Sequence, residues 1–218
     1  GFFTQGSLKK LALSGGAPLT VAPVTAATGG TWLSDGTIVF ASEAKGLERV
    51  DASGGAPEAL TRPGQGPMPL VTSPWALPGG RALLVGLRRG GGFFDVAVFS
   101  LSDGTLRVLA EDGFNPTYTR SGHVVYQQGR ASTGLLALPF DPQRLAATGT
   151  AFPVLSDIGT RVSFQGRTFS VADDGTLAYV QGTTVLEHGA LLWVGQGGAL
   201  TPIVEIPRAL DTPRLSPD

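Results

Sequence analysis

The chain reads Leu33-Ser34-Asp35-Gly36-Thr37-Ile38-Val39-Phe40 at the point that decides its fold. An Asp-Gly pair before a run of apolar residues is typical of a tight β-hairpin, because glycine takes the positive φ angles that such turns require. Three similar stretches follow at residues 77–85, 119–126 and 172–180. Their turn glycines, at positions 36, 80, 122 and 175, are 44, 42 and 53 residues apart. A period of roughly 40 to 50 residues is typical of a β-propeller.

A second hairpin follows the first in each period, at residues 10–19, 49–58, 98–105 and 192–199. Two hairpins give four antiparallel strands, which is one propeller blade. The sequence therefore predicts an all-β fold, a five-bladed propeller in one domain, 1–218. Its blades would span 28–66, 67–114, 115–160 and 161–207, and residues 208–218 would supply the first strand of a blade completed by residues 1–27. The alternative is a fragment of a six-bladed or larger propeller.

The composition supports this prediction and excludes several classes of protein. Glycine accounts for 32 of 218 residues and proline for 16, so turns are frequent and long helices are unsupported. The formal net charge is −1 with no large basic cluster, which argues against nucleic-acid binding. No apolar run is long enough to span a membrane, and no targeting segment is recognisable at the start of this chain. Cysteine is absent, which excludes disulfides and thiol nucleophiles.

The repeats resemble the PD40 repeats of TolB-like propellers. Three longer phrases, at residues 135–145, 169–179 and 191–194, are similar to the C-terminal extracytoplasmic propeller of bacterial receptor-like serine/threonine kinases. This resemblance implies a sensor domain outside the cytoplasm. Two turns depart from the pattern, since the hairpin at Gly79-Gly80 lacks its aspartate and residues 195–198 lack the usual Asp-Arg pair. No kinase motif occurs in this chain.

The chemistry-bearing residues have structural interpretations. Asp35, Asp103, Asp174 and Asp218 accompany turns, where short carboxylates accept bonds from nearby backbone amides. The two histidines, at positions 123 and 188, do not have metal-ligand spacing. The predicted inner strands lack Asp and Glu, which argues against a glycosidase site. We therefore predict no enzyme, no catalytic residue, no metal and no cofactor, and expect Trp32, Trp75 and Tyr118 to pack between blades.

Recognition of a protein, peptide or small ligand at a propeller face or channel mouth is the predicted function. The candidate loops are 42–46, 87–92, 129–133 and 182–189, since loops carry binding groups on a rigid scaffold. Their polar candidates are Arg88, Arg89, Glu187 and His188. We expect a monomer that binds no nucleic acid and does not insert into a membrane. Two alternatives are a structural or oligomerising scaffold, and the propeller of a glycosidase or a prolyl-oligopeptidase-like hydrolase.

Overall fold

Short strands joined by tight turns make up the part of the chain that the structure describes. The computed structural model describes residues 1–61, 70–89, 93–129, 134–159, 167–172, 174–182, 189–194 and 198–206. These residues form five antiparallel sheets and contain no helix. Consequently, they contain no helix that could cross a membrane. The all-β fold class predicted from the turn glycines is confirmed.

Three sheets lie in the first of two compact units, Gly1–Pro116. Sheet I has the strand order β1-β2-β3, sheet II β4-β5-β6-β7, and sheet III β8-β9-β10-β11. The strands are β1 (Phe2–Thr4), β2 (Ser7–Lys10), β3 (Leu19–Pro23), β4 (Ala27–Trp32), β5 (Thr37–Ser42), β6 (Gly46–Asp51), β7 (Glu58–Ala59), β8 (Leu70–Ala76), β9 (Ala82–Arg88), β10 (Phe94–Ser100) and β11 (Leu106–Ala110). Sheet I has three strands, and the strand predicted to complete it, residues 208–218, lies outside the described residues.

The second unit, Thr117–Asp218, begins within β12 and contains most of sheet IV and all of sheet V. Its strands are β12 (Gly113–Thr119), β13 (His123–Gln128), β14 (Leu135–Asp141), β15 (Ala146–Ala147), β16 (Phe152–Leu155), β17 (Phe169–Val171), β18 (Leu177–Val180), β19 (Gly189–Val194) and β20 (Leu200–Ile206). In sheet IV two short strands share the outer position, because β14 pairs with β15 at one end and with β16 at the other. The four predicted first hairpins each join the first and second strands of a sheet.

The second strand of sheet II shows why the middle strands are almost continuously apolar. Val39 and Ala41 on β5 contribute to an apolar cluster with β8, β9 and β10, whereas Ile38 and Phe40 contribute to another with β2 and β3. Alternate side chains of a strand point to opposite faces, so a strand covered on both faces must be apolar at every position. In unit 2, Val125, Leu135 and Phe169 belong to a comparable cluster.

Polar residues with unusual backbone angles interrupt the first strands of sheets III and IV. Ser73 on β8 and Asn115 on β12 have φ of 49° and 53°, and each is followed by proline. The pairing of β8 with β9 shifts register between Thr72 and Trp75, which is a β-bulge. The Ser73 Oγ lies 2.7 Å from the Asn115 Oδ1, and both residues are buried. This hydrogen bond pairs two buried polar groups, each of which would destabilise the fold if it were buried without a partner.

Candidate functional site

The end of sheet III at the β9–β10 hairpin carries the two predicted arginines that the structure describes. Arg88 is the last residue of β9 and pairs with both Leu70 and Phe94. The backbone N–H of Arg89 donates to the Phe93 carbonyl at 2.7 Å, which continues the hairpin beyond the two strands. Both arginines are exposed, and Phe93 beside them is also half-exposed. The strand end therefore places two cationic side chains and one aromatic ring at the surface.

A buried carboxylate holds one of these arginines in place. Asp95, on β10, is only 2% exposed, and its Oδ1 accepts a hydrogen bond from Arg89 Nη2 at 2.6 Å. The same oxygen accepts the backbone N–H of Asp112 at 3.1 Å. Asp112 has φ of 52° and lies between β11 and β12. Because one carboxylate bonds both segments, the hairpin and the crossover to the next sheet are held together at this end.

A related arrangement occurs at the β5–β6 hairpin of sheet II. Glu48 is 4% exposed and accepts hydrogen bonds from Ser42 Oγ and Lys45 Nζ, each at 3.3 Å. In both sheets a cationic side chain from the hairpin, Lys45 or Arg89, donates a hydrogen bond to a buried carboxylate near the start of the third strand. A buried charge is tolerated only when it is paired and hydrogen-bonded, and these contacts meet that requirement.

The arrangement at sheet III can bind an anionic group. The guanidinium of Arg89 is occupied by Asp95, whereas Arg88 forms no ion pair with any residue that the structure describes. A guanidinium presents a planar fork of N–H donors that matches a carboxylate or phosphate. The exposed ring of Phe93 adds an apolar contact next to that fork. Together these groups suit a ligand that carries a negative charge beside an apolar portion.

Sequence reasoning missed the two buried carboxylates, Glu48 and Asp95, because it considered only the aspartates that lie beside turn glycines. Their signal was a charged residue inside an apolar strand, as in Phe94-Asp95-Val96-Ala97, preceded within seven residues by a basic one. The turn assignment itself is correct for Asp35, Asp103 and Asp174, whose side chains accept the N–H of the residue two positions later at 2.8 to 3.0 Å.

The remaining predicted site residues and loops are only partly described. Glu187 and His188 lie outside the described residues, as do most of loops 129–133 and 182–189. Within the described ranges no three His, Asp or Glu side chains cluster as metal ligands would. Of the aromatic residues, Tyr118 packs against Phe140 of its own sheet, with ring centroids 6.2 Å apart, and Trp32 is 45% exposed.

Comparisons with known proteins place this fold among solved propellers. No protein-family model matches the chain, and no curated protein matches it. A protein assigned as TolB from Agrobacterium tumefaciens aligns with a TM-score of 0.72 at 14% identity, over 95% of this chain and 76% of its own. TolB from Acinetobacter baumannii aligns with a TM-score of 0.64 at 16% identity, over 91% and 49% of the respective chains. This chain therefore spans about half the length of the second protein.

Enzymes share the fold as well. A gluconolactonase from Xanthomonas campestris aligns with a TM-score of 0.62 at 15% identity, over 88% of this chain and 66% of its own. An oligogalacturonate lyase and a puromycin hydrolase align at similar identities. The prediction that the chain is not an enzyme is wrong on these comparisons, because one fold hosts both kinds of protein and inner strands without carboxylates do not exclude catalysis. At these identities the likeness shows the fold alone, a five-bladed β-propeller.

Proposed function

We propose that this chain is a recognition module that binds a protein, peptide or small ligand at the loop end of sheet III. Arg88, Arg89 and Phe93 form the site in this proposal. The observation that carries the proposal is the buried carboxylate of Asp95, which fixes Arg89 beside the exposed Arg88. Loops on a rigid β scaffold are common binding elements, and preorganised cations lose less freedom on binding.

The finer part of the proposal concerns the setting of this module. The phrases at residues 135–145, 169–179 and 191–194 support a sensor propeller of a bacterial serine/threonine kinase, placed outside the cytoplasm. The likeness to two TolB structures is compatible with a protein partner in such a setting. In this proposal the sheets are the scaffold, and ligand binding at their loops is the signal.

Ligand binding should depend on Arg88. The test is thermal unfolding of the chain with a panel of acidic peptides, sugar acids and inorganic phosphate, since a ligand of the folded state raises the midpoint. We expect at least one compound to stabilise the wild-type chain and to lose most of that effect with Arg88→Ala. Arg81→Ala is the matched control, because Arg81 is an exposed arginine at the opposite end of β9. The proposal fails if no compound stabilises the chain, or if both variants respond as the wild type does.

Arg89 should contribute to stability as well as to binding. Arg89→Ala leaves Asp95 buried without its cation, so we expect the free energy of unfolding to fall by about 1–3 kcal/mol. The loss is smaller than for a fully buried ion pair because the Arg89 side chain is 46% exposed. Arg88→Ala should change stability by less than about 0.5 kcal/mol, as for most surface substitutions. Chemical denaturation measures both. Equal losses would show that the Asp95 contact does not anchor the hairpin.

A further inference from the structure

The two arginines at the loop end of sheet III have different neighbours, because they point to opposite faces of the sheet. Asp95 pairs with Leu87 across the β9–β10 ladder, and the hydrogen bond from Arg89 Nη2 to Asp95 Oδ1 places these two charged side chains on the same face. Arg88 pairs with Phe94, one position away on each strand. Since consecutive strand residues alternate between faces, the Arg88 side chain lies on the other face.

The charge of Arg89 is compensated within the protein. The Asp95 side chain is only 3% exposed, and its Oδ1 also accepts the Asp112 backbone N–H at 3.1 Å. A ligand that withdrew Arg89 would leave this carboxylate buried without its cation, which destabilises a fold strongly. Asp112 adds a second carboxylate to the same segment. We therefore expect Arg89 to stay on Asp95 when a ligand binds.

Arg88 is the cation that a ligand can reach. Its side chain is exposed, and none of the ion pairs between described residues includes it. Strand β9 lies between β8 and β10, so Arg88 has one cross-strand partner on each side, Leu70 and Phe94. The Cβ atoms of such directly paired residues lie about 4.5–5.5 Å apart. One guanidinium fork is therefore flanked by two apolar side chains.

We infer that this site binds a monoanionic carboxylate with an apolar substituent, and that Asp95 determines this specificity by neutralising Arg89. The inference rests on the proposed function of the same site. A carboxylate matches the single guanidinium of Arg88, since its two oxygens accept two parallel N–H bonds. The apolar substituent then lies beside Leu70, which is only half-buried.

A dianion such as sulfate or a phosphate monoester fits this charge distribution less well. The hydration that an ion loses grows with the square of its charge, whereas its attraction to a single cation grows only in proportion. The second negative charge of a dianion does not gain Arg89 as a partner, because Asp95 holds it. That charge is also repelled by the carboxylates of Asp95 and Asp112. The compensated arginine thus favours carboxylates over dianions.

The first test compares anions on the wild-type chain by NMR. At about pH 6, carboxylic acids are ionised and sulfate is a dianion. Isocaproate, acetate and sulfate are titrated at constant ionic strength against the side-chain Nε–H signal of Arg88, which Arg88→Ala identifies. We expect isocaproate to bind about fivefold or more tightly than sulfate, and more tightly than acetate, which lacks the apolar chain.

The second test removes the charge of Asp95. Asp95→Asn keeps an oxygen that can accept hydrogen bonds from Arg89 and from the Asp112 N–H. The sulfate affinity should rise about fivefold and the isocaproate affinity about twofold, since the lost charge repels a dianion twice as strongly. Asp103→Asn is the matched control, the same substitution in an exposed turn at the far end of β10. It should leave both affinities unchanged, because that turn lies more than a Debye length of about 10 Å away.

The outcomes separate this inference from the proposed function. An Arg88 signal that responds to none of the anions would contradict the proposed function and the inference together. Sulfate binding as tightly as isocaproate would overturn the specificity alone, and this comparison needs only the wild-type chain, so it holds even if Asp95→Asn does not fold. Equal sulfate affinities in the wild-type and Asp95→Asn chains would overturn the role of Asp95.

A further comparison distinguishes two sources of the same carboxylate chemistry. N-acetyl-leucine ends as a peptide does, whereas isocaproate is a free acid with the same branched chain. Tighter binding of either one supports the apolar carboxylate class and assigns its source. Acetate binding as tightly as both would overturn the apolar part of the inference.

Discussion

At the scale of single residues, the turn aspartates link the folding of this chain to pH. The backbone N–H of Thr105 lowers the pKa of Asp103, and the backbone N–H of Thr176 lowers the pKa of Asp174. A hydroxyl hydrogen bond from Ser53, followed by its backbone N–H, lowers the pKa of Asp51. Each bond is made to the charged carboxylate, so protonation weakens the turn.

We predict a loss of stability in acid that originates in these turns. The folded-state pKa of each aspartate lies below its unfolded value of about 3.9, so its contribution is complete above that value and is lost as pH falls through the lowered pKa. NMR titration of the carboxyl carbons measures the folded pKa, and thermal unfolding at decreasing pH measures the effect. Asp103→Asn should retain the turn acceptor and reduce the pH dependence. A titration of Asp103 at or above about 3.9 would contradict this explanation.

At the scale of an element, two constraints require glycine at position 46 in the β5–β6 hairpin. Gly46 has φ of 73°, where a side chain is strained, and a Cβ there would collide with Thr61 Oγ1. That oxygen accepts the backbone N–H of Leu47 at 2.8 Å, so it cannot move without breaking a buried hydrogen bond. Gly36, at the β4–β5 hairpin, has φ of 91° but open space around it.

We therefore predict different costs for alanine at these two positions. Gly36→Ala should cost about 1–2 kcal/mol from backbone strain alone, and Gly46→Ala about 2–4 kcal/mol because a steric clash is added. Chemical denaturation measures both. The double variant Gly46→Ala with Thr61→Ala should lose less than the sum of the two single variants, since removing the hydroxyl also removes the clash. Equal losses of stability in Gly36→Ala and Gly46→Ala would show that the Thr61 side chain moves aside without a cost of its own.

At the scale of the whole molecule, one strand is shared between the two compact units. The boundary between Pro116 and Thr117 falls within β12, which spans Gly113–Thr119. A strand cannot keep its ladder if half of it unfolds, so we predict one cooperative unfolding transition for the single domain proposed from the sequence. Scanning calorimetry should give equal calorimetric and van't Hoff enthalpies. Two resolved transitions would show instead that the units fold independently.

The sequence alone determined the repeating elements, because their causes are local. Gly36, Gly80, Gly122 and Gly175 all have positive φ, and each closes a hairpin at its predicted position. Turn geometry depends on a few adjacent residues, so a repeat of turns in the sequence becomes a repeat of hairpins in the fold. The aspartates beside these turns were predicted correctly for the same reason. The number and antiparallel order of the sheets followed from counting hairpins.

Tertiary structure alone decided which residues share a site. Asp95 meets Arg89 and the N–H of Asp112 because strand register and the β11–β12 crossover bring them together, and neither can be read from composition. The same holds for the β2–β3 and β6–β7 hairpins, whose turns both contain Ser-Gly-Gly-Ala-Pro. Packing alone leaves Leu13 before the first turn fully exposed and partly covers Ala52 before the second. Turns depend on neighbours in the sequence, whereas burial and charge pairing depend on neighbours in space, and this difference separates what was predicted from what was found.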